Sequence, residues 1–98
     1  MGLRLRFDAR AVRDLNDIRA YVGERSATGA ERVRRHILAT VERLSDFPFL
    51  GRATDEARVR VLALTRYPYL IFYTVLKDEV VILHVRHGRR RPIDPRSL

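Results

Sequence analysis

The amino-acid sequence predicts an α+β domain built from a strand, an antiparallel helix hairpin and a three-strand antiparallel meander. An alternating apolar pattern near the amino terminus is followed by two stretches with helical spacing and then by three stretches rich in β-branched and aromatic residues. Because the helical stretches precede consecutive strands, both helices are expected on one face of a mostly antiparallel sheet. With 98 residues, the chain is expected to form one domain over residues 1–98.

The first strand and the first helix are predicted from two different spacings. Apolar and arginine side chains alternate over residues 3–7, which is typical of a strand with one buried face. Asp8 then offers an N-cap, and the helix is expected to end near Gly23. The apolar stripe by which this helix should pack is Val12, Leu15, Ile18 and Val22.

The second helix is expected to begin at a capping box formed by Thr28 and Glu31. It must stop before Pro48, whose ring and missing N–H group cannot continue a helix. The short polar turn that separates the two helices predicts an antiparallel hairpin. The apolar stripe of this helix is Ala30, Val33, Ile37, Val41 and Leu44.

The second half of the chain predicts the meander. Residues 51–57 are polar and lack a clear period, so they are interpreted as a loop. Turns are expected at Tyr67-Pro68 and at Lys77-Asp78, and residues 88–98 are expected to form a basic extended tail. The three predicted strands are Val59 to Ala63, Tyr69 to Leu76, which should be central, and Val80 to Val85.

The composition excludes several classes of protein. The absence of cysteine excludes disulfide scaffolds, thiolate zinc sites and thiol nucleophiles. No apolar run approaches the roughly 20 residues of a membrane span, and the charged amino terminus does not resemble a signal peptide. We therefore expect a cytoplasmic protein without membrane contact.

The charge balance predicts an acidic partner. The 20 basic and 12 acidic residues give a formal net charge of +8, and every basic residue except Lys77 is arginine. Arginine forms planar, bidentate contacts with phosphate and carboxylate groups. Nucleic acid or an acidic protein is therefore the expected kind of partner.

Few residues qualify as catalysts. His36 and His84 lie within predicted elements, where structural roles are expected, whereas His87 lies at a strand end among arginines. A histidine that shuttles a proton beside arginines that stabilise phosphate charge would suit phosphodiester cleavage. The chain has no metal-ligand spacing, no glycine-rich phosphate loop and no nucleophile motif, so we expect no metal and no cofactor. Arg58, Arg60 and Arg66 form either a basic patch with the tail or a set of separate solvated charges.

From Leu3 to about Arg91 the chain resembles the ParE/RelE toxin superfamily of bacterial type II toxin-antitoxin modules, also described as plasmid stabilisation proteins. The residues that carry the resemblance are Ala11 to Ile18, Leu44 to Pro48 with Gly51-Arg52, Val59 to Leu62, Tyr69 to Tyr73 and His84 to Arg90. The resemblance implies a compact toxin, encoded beside a small antitoxin whose carboxy-terminal segment wraps around it.

Within the superfamily, the residues favour the ParE-like branch. The resemblance implies that RelE-like members cleave mRNA on the ribosome with lysines that would fall here at about Val61 and Ala63, and an arginine that would fall at Leu70. Only Arg90 matches a basic residue of that site. ParE-like members bind and inhibit DNA gyrase and need no catalytic groups of their own, so no cofactor and no catalytic residue are favoured.

The target-binding residues expected on this interpretation are Arg58, Arg60, Arg66, Arg86, His87, Arg89, Arg90 and Arg91. Two alternatives stay open. One is a ribosome-dependent mRNA endonuclease that uses Glu56, Arg66, His87 and Arg90. The other is a non-toxic protein kept only as an antitoxin partner.

Antitoxin binding is expected whichever target applies. The exposed apolar faces of the helix hairpin and the sheet edge are expected to accept a helix or a strand of the antitoxin. The excess of arginine predicts an antitoxin segment rich in Asp and Glu, and a toxin-antitoxin hetero-oligomer.

Overall fold

A computed structural model describes residues 2–88 and confirms the α+β class. Its five strands form one sheet in the order β1-β5-β4-β3-β2, in which β1 is parallel to β5 and the other neighbours are antiparallel. The elements are β1 (Arg4–Phe7), α1 (Ala9–Gly23), α2 (Ala27–Asp46), β2 (Arg52–Ala53), β3 (Arg60–Ala63), β4 (Tyr69–Val75) and β5 (Glu79–His87).

The central strand β4 separates the two faces of the sheet. Tyr69, Ile71 and Tyr73 are buried against the helices, while Leu70 and Phe72 point to the other side, which we call the open face. The core joins α2 to the helix-facing sides of β4 and β5, and its largest fully buried members are Tyr73, Ile37, Leu44, Ile71, Ile82, Val41, Val80 and Val85.

A β-bulge in β5 determines which of its residues reach the open face. Phe72 pairs with His84 and Tyr73 pairs with Ile82, so Leu83 is the extra residue. Ile82 and Val85 therefore both face the helices although they are three residues apart. His84 stands on the open face as a result.

The first helix packs differently from the expectation based on its stripe. Ala11 is its one fully buried residue among those described, and Val12 is 45% exposed. Helix α1 follows β1 directly and lies along the edge of β5, beyond the end of β1. Its apolar stripe therefore faces α2, and a groove remains between the two helices. The prediction that the first helix packs through this apolar stripe is therefore only partly right.

The predicted start of the second helix is wrong. Ser26 is the N-cap, in extended conformation, and its Oγ accepts a hydrogen bond from the N–H of Gly29 at 2.9 Å. Thr28 consequently lies within the first turn. The predicted end is confirmed, since α2 stops at Asp46, before Pro48.

The segment interpreted as a loop contains a short strand that the sequence did not reveal. Arg52 and Ala53 form β2, which pairs with the first half of β3. Two residues are too few to show a period. Met1 and residues 89–98, including most of the predicted basic tail, lie outside the described residues.

Candidate functional site

The end of β5 brings the predicted residues Arg86 and His87 to opposite faces of the sheet. The guanidinium carbon of Arg86 lies on the open face, 5.2 Å from the centre of the Phe72 ring. His87 lies on the helix side, edge-on to Tyr69, with ring centres 5.3 Å apart. One ligand reaches both side chains only by wrapping around the end of the sheet.

The helix-side residue His87 borders a small pocket between α1 and the end of the sheet. This pocket has a volume of about 320 Å³ and contains one carboxylate and two tyrosines. The residues that line it are Asp17, Ile18, Tyr21, Tyr69 and His87. If His87 were a catalyst, its substrate would have to bind in this pocket.

The three arginines predicted around β3 lie at different places along it, and Arg60 is the first residue of the strand. Arg58 is exposed, with a φ of 66°, and precedes β3, whereas Arg66 is exposed in the turn that follows β3. Arg60 is folded onto the preceding loop, because its Nε donates to the carbonyl of Gly51 at 2.8 Å and its guanidinium lies 5.3 Å from the ring of Phe49. The strand thus separates Arg58 and Arg60 from Arg66.

Two residues of the ribonuclease alternative, Glu56 and His87, lie far apart. Glu56 shares a surface depression with Val75 at one end of β4, while His87 pairs with Tyr69 at the other end. Val75 lies six positions after Tyr69 in the strand, which corresponds to about 20 Å. The structure does not bring Glu56 and His87 to one phosphodiester, and Arg90 lies outside the described residues.

A second histidine is held in a hydrogen-bonded cluster. Nδ1 of His84 lies 2.6 Å from Oδ2 of Asp14, and the same oxygen accepts the backbone N–H of Val85 at 2.9 Å. Because a carboxylate only accepts, Nδ1 carries the proton. Nε2 of His84 then faces Nη2 of Arg10 at 3.4 Å, and the imidazole stacks on Phe72 with ring centres 5.6 Å apart.

An apolar groove runs between α1 and α2, and Phe7 at the end of β1 is also part of its lining. Its volume is about 320 Å³, and its lining is mainly aliphatic. Val12 and Leu15 contribute from α1, while Arg19 and Arg34 stand at its border. An exposed apolar surface of this kind with a basic border suits an amphipathic acidic segment.

Among residues 2–88, His, Asp and Glu side chains do not gather in groups of three that could hold a metal ion. Over the same residues, neither helix combines the length and the apolar character needed to cross a membrane.

Comparison with known proteins identifies the family. Residues 5–92 match the model for the ParE toxin of the type II toxin-antitoxin system parDE. The chain belongs to the ParE toxin family. It is 35% identical over 88 residues to the putative toxin Y4kP of Sinorhizobium fredii, with 90% of this chain and 91% of the relative covered.

Two more matches place this ParE family toxin within the wider ParE/RelE superfamily. It is 35% identical over 81 residues to toxin RelE2 of Caulobacter vibrioides, covering 83% of this chain and 90% of the relative. The solved chromosomal ParDE system from P. aeruginosa matches with a TM-score of 0.77 and 26% identity, over 88% of this chain and 96% of that one. The chain is thus the toxin of a type II toxin-antitoxin module.

Sequence reasoning about this ParE family toxin missed the contribution of α1 to the open face. Asp14 and Arg10 were not singled out, because both look like solvated charges of an amphipathic helix. Helical spacing could have pointed to Asp14. It lies three residues after the buried Ala11 and therefore on the sheet-facing side of α1. The contact with His84 spans 70 positions and has no local pattern.

Proposed function

We propose that this ParE family toxin blocks growth by inhibiting DNA gyrase, and that it acts by binding without catalysis of its own. The proposal rests on three strand positions at which RelE-like toxins are expected to have cationic side chains. Val61, Ala63 and Leu70 occupy those positions here, and Ala63 pairs directly with Leu70 across β3 and β4. Aliphatic side chains cannot stabilise the charge that develops on a phosphate during cleavage.

The arrangement of the remaining candidates supports the same proposal. Glu56 and His87 lie at opposite ends of β4, which disfavours a catalytic pair formed by these two residues. The family model that matches is that of ParE toxins. Binding to a protein target requires neither an acid-base pair nor a metal.

The test measures DNA and protein synthesis by pulse labelling immediately after this chain is expressed in bacteria without its antitoxin. We expect DNA synthesis to fall first while translation continues. Purified toxin should then increase the amount of cleaved DNA that is trapped on purified gyrase. An early fall in translation with normal gyrase cleavage would refute the proposal, and no effect on growth would indicate a non-toxic antitoxin partner.

Ribosome-dependent mRNA cleavage is the second candidate. It is favoured by the relatives named RelE2 and RelE3 of Caulobacter vibrioides, which are 35% and 32% identical to this chain. On this alternative, His87→Ala should abolish mRNA cleavage and leave antitoxin binding intact. Unchanged cleavage in that variant would exclude His87 as the catalyst.

We also propose that a cognate antitoxin neutralises the toxin by occupying the groove between α1 and α2. Val12, 45% exposed, offers apolar area to an incoming helix, while Arg19 and Arg34 offer charge to its acidic side chains. The resulting hetero-oligomer would act in the bacterial cytoplasm, with plasmid stabilisation as the corresponding biological role. A solved relative is likewise described as a toxin-antitoxin complex, RelBE2 from Mycobacterium tuberculosis.

A further inference from the structure

Four side chains form a continuous row on the open face of the sheet. Arg10 contacts His84, His84 stacks on Phe72 at an interplanar angle of 23°, and Arg86 lies over the Phe72 ring. We call these four residues the cationic row. A guanidinium group thus stands at each end of a pair of stacked rings.

The two arginines of the row keep their charge uncompensated within the described part of the chain. Arg4 and Arg6, on the neighbouring strand β1, are paired with Asp78 and Glu79 at 3.0 Å. No carboxylate among residues 2–88 lies within ion-pair distance of Arg10 or Arg86. The row therefore offers two cationic donors to an anion from outside.

The carboxylate that contacts the row, that of Asp14, already accepts hydrogen bonds from two donors. Asp14 accepts hydrogen bonds from the imidazole of His84 and from the backbone N–H of Val85. These contacts fix the ring of His84, and the rings of His84 and Phe72 in turn support the guanidinium of Arg86. The donors are consequently held in place before any ligand arrives, which lowers the entropic cost of binding.

We infer that the cationic row binds the phosphodiester backbone of duplex DNA. Guanidinium groups match phosphate oxygens in a bidentate manner, and the whole chain has a formal net charge of +8. Helix α2 packs on the other face of the sheet and α1 lies along the edge of β5, so an extended polyanion can approach the row from the open face. The choice of DNA over another phosphodiester rests on the proposed function, because gyrase works on duplex DNA.

The test is the fluorescence anisotropy of a labelled 20-base-pair DNA duplex titrated with the purified 98-residue toxin at several salt concentrations, without gyrase. The double variant Arg10→Ala/Arg86→Ala removes the two cations of the row. Arg32→Ala/Arg43→Ala is the matched control, because it removes the same charge from exposed positions on α2, on the opposite side of the sheet.

We expect the wild type to bind DNA with a salt dependence whose slope falls by about 2 in the row variant. The control variant should keep the wild-type slope. Equal losses in both variants would show attraction by net charge alone and overturn the inference, as would the absence of DNA binding by the wild type. Because this assay contains no gyrase, a negative result would disprove DNA binding by the row only. Gyrase inhibition is tested separately, by the amount of cleaved DNA trapped on purified gyrase.

Discussion

Asp14 and His84 join the first helix to the last strand through a hydrogen bond of 2.6 Å between Oδ2 and Nδ1. The side chains of both residues are about one fifth exposed. The same carboxylate oxygen accepts the N–H of Val85, beyond the point where β1 stops pairing with β5. Asp14 thus provides a hydrogen-bond acceptor for an N–H group at the sheet edge and orients His84, a member of the cationic row.

Replacing this carboxylate should destabilise the fold. In Asp14→Ala, the N–H of Val85 loses its acceptor in a largely buried place, so we expect a loss of about 1–3 kcal/mol in the free energy of unfolding. Urea denaturation followed by circular dichroism measures it. Asp17→Asn, one turn later on an exposed position of the same helix, is the control and should change stability little. Equal stability of the wild type and Asp14→Ala would disprove the bridging role.

Gly51→Ala should also destabilise the protein, because the chain passes too close to its neighbours for a side chain. A Cβ at this position would stand 2.7 Å from the carbonyl oxygen of Val61 and 2.8 Å from the ring of Tyr73, whose hydroxyl accepts the Gly51 N–H. We expect a loss of about 1–3 kcal/mol from overpacking, measured as a lowered midpoint of thermal unfolding.

Gly23→Ala is the matched control for that substitution. A Cβ at Gly23 would meet only the Cβ of Ala30, at an ordinary contact distance of 3.9 Å. Its effect on the unfolding midpoint should therefore be neutral or slightly stabilising. If both alanine variants behaved alike, the close approach at Gly51 would not be the cause.

A charge in the groove between the helices should prevent neutralisation. Val12→Glu places a carboxylate on the apolar surface proposed for the antitoxin, so affinity should fall by about tenfold or more while toxicity persists. Isothermal titration calorimetry and growth under co-expression measure the two effects. Leu76→Glu, at a 42% exposed position in the turn after β4, is the control and should still be neutralised. Normal neutralisation of Val12→Glu would exclude this groove.

Truncation after Gly88 should separate folding from toxicity. The described core extends only as far as Val85, so the shortened chain should keep its circular dichroism spectrum. It loses Arg89, Arg90, Arg91 and Arg96, the arginines of the predicted basic tail. We expect loss of toxicity in a plating assay with antitoxin binding unchanged. A folded truncation that remains fully toxic would exclude the tail from target binding.

Much of the fold could be predicted from the sequence, because local periods report which side of an element is buried. The alternation in β4 and the spacing of Val33, Ile37, Val41 and Leu44 in α2 correspond to buried positions. The N-cap was misplaced because Ser26 and Thr28 are both acceptable caps, and only the path of the turn selects Ser26. The strand β2 was missed because its two residues have no period.

The sequence by itself determined the order of the elements, the single core, the excess of arginine and the absence of thiol chemistry. Only the tertiary structure decided that Arg86 and His87 face opposite sides, that Glu56 and His87 stay apart, and that Arg10 and Asp14 meet His84. The physical reason is that periodicity is a property of neighbouring residues. The β-bulge depends on the pairing of β4 with β5, and the packing of α1 along the sheet edge depends on contacts between residues about 70 positions apart.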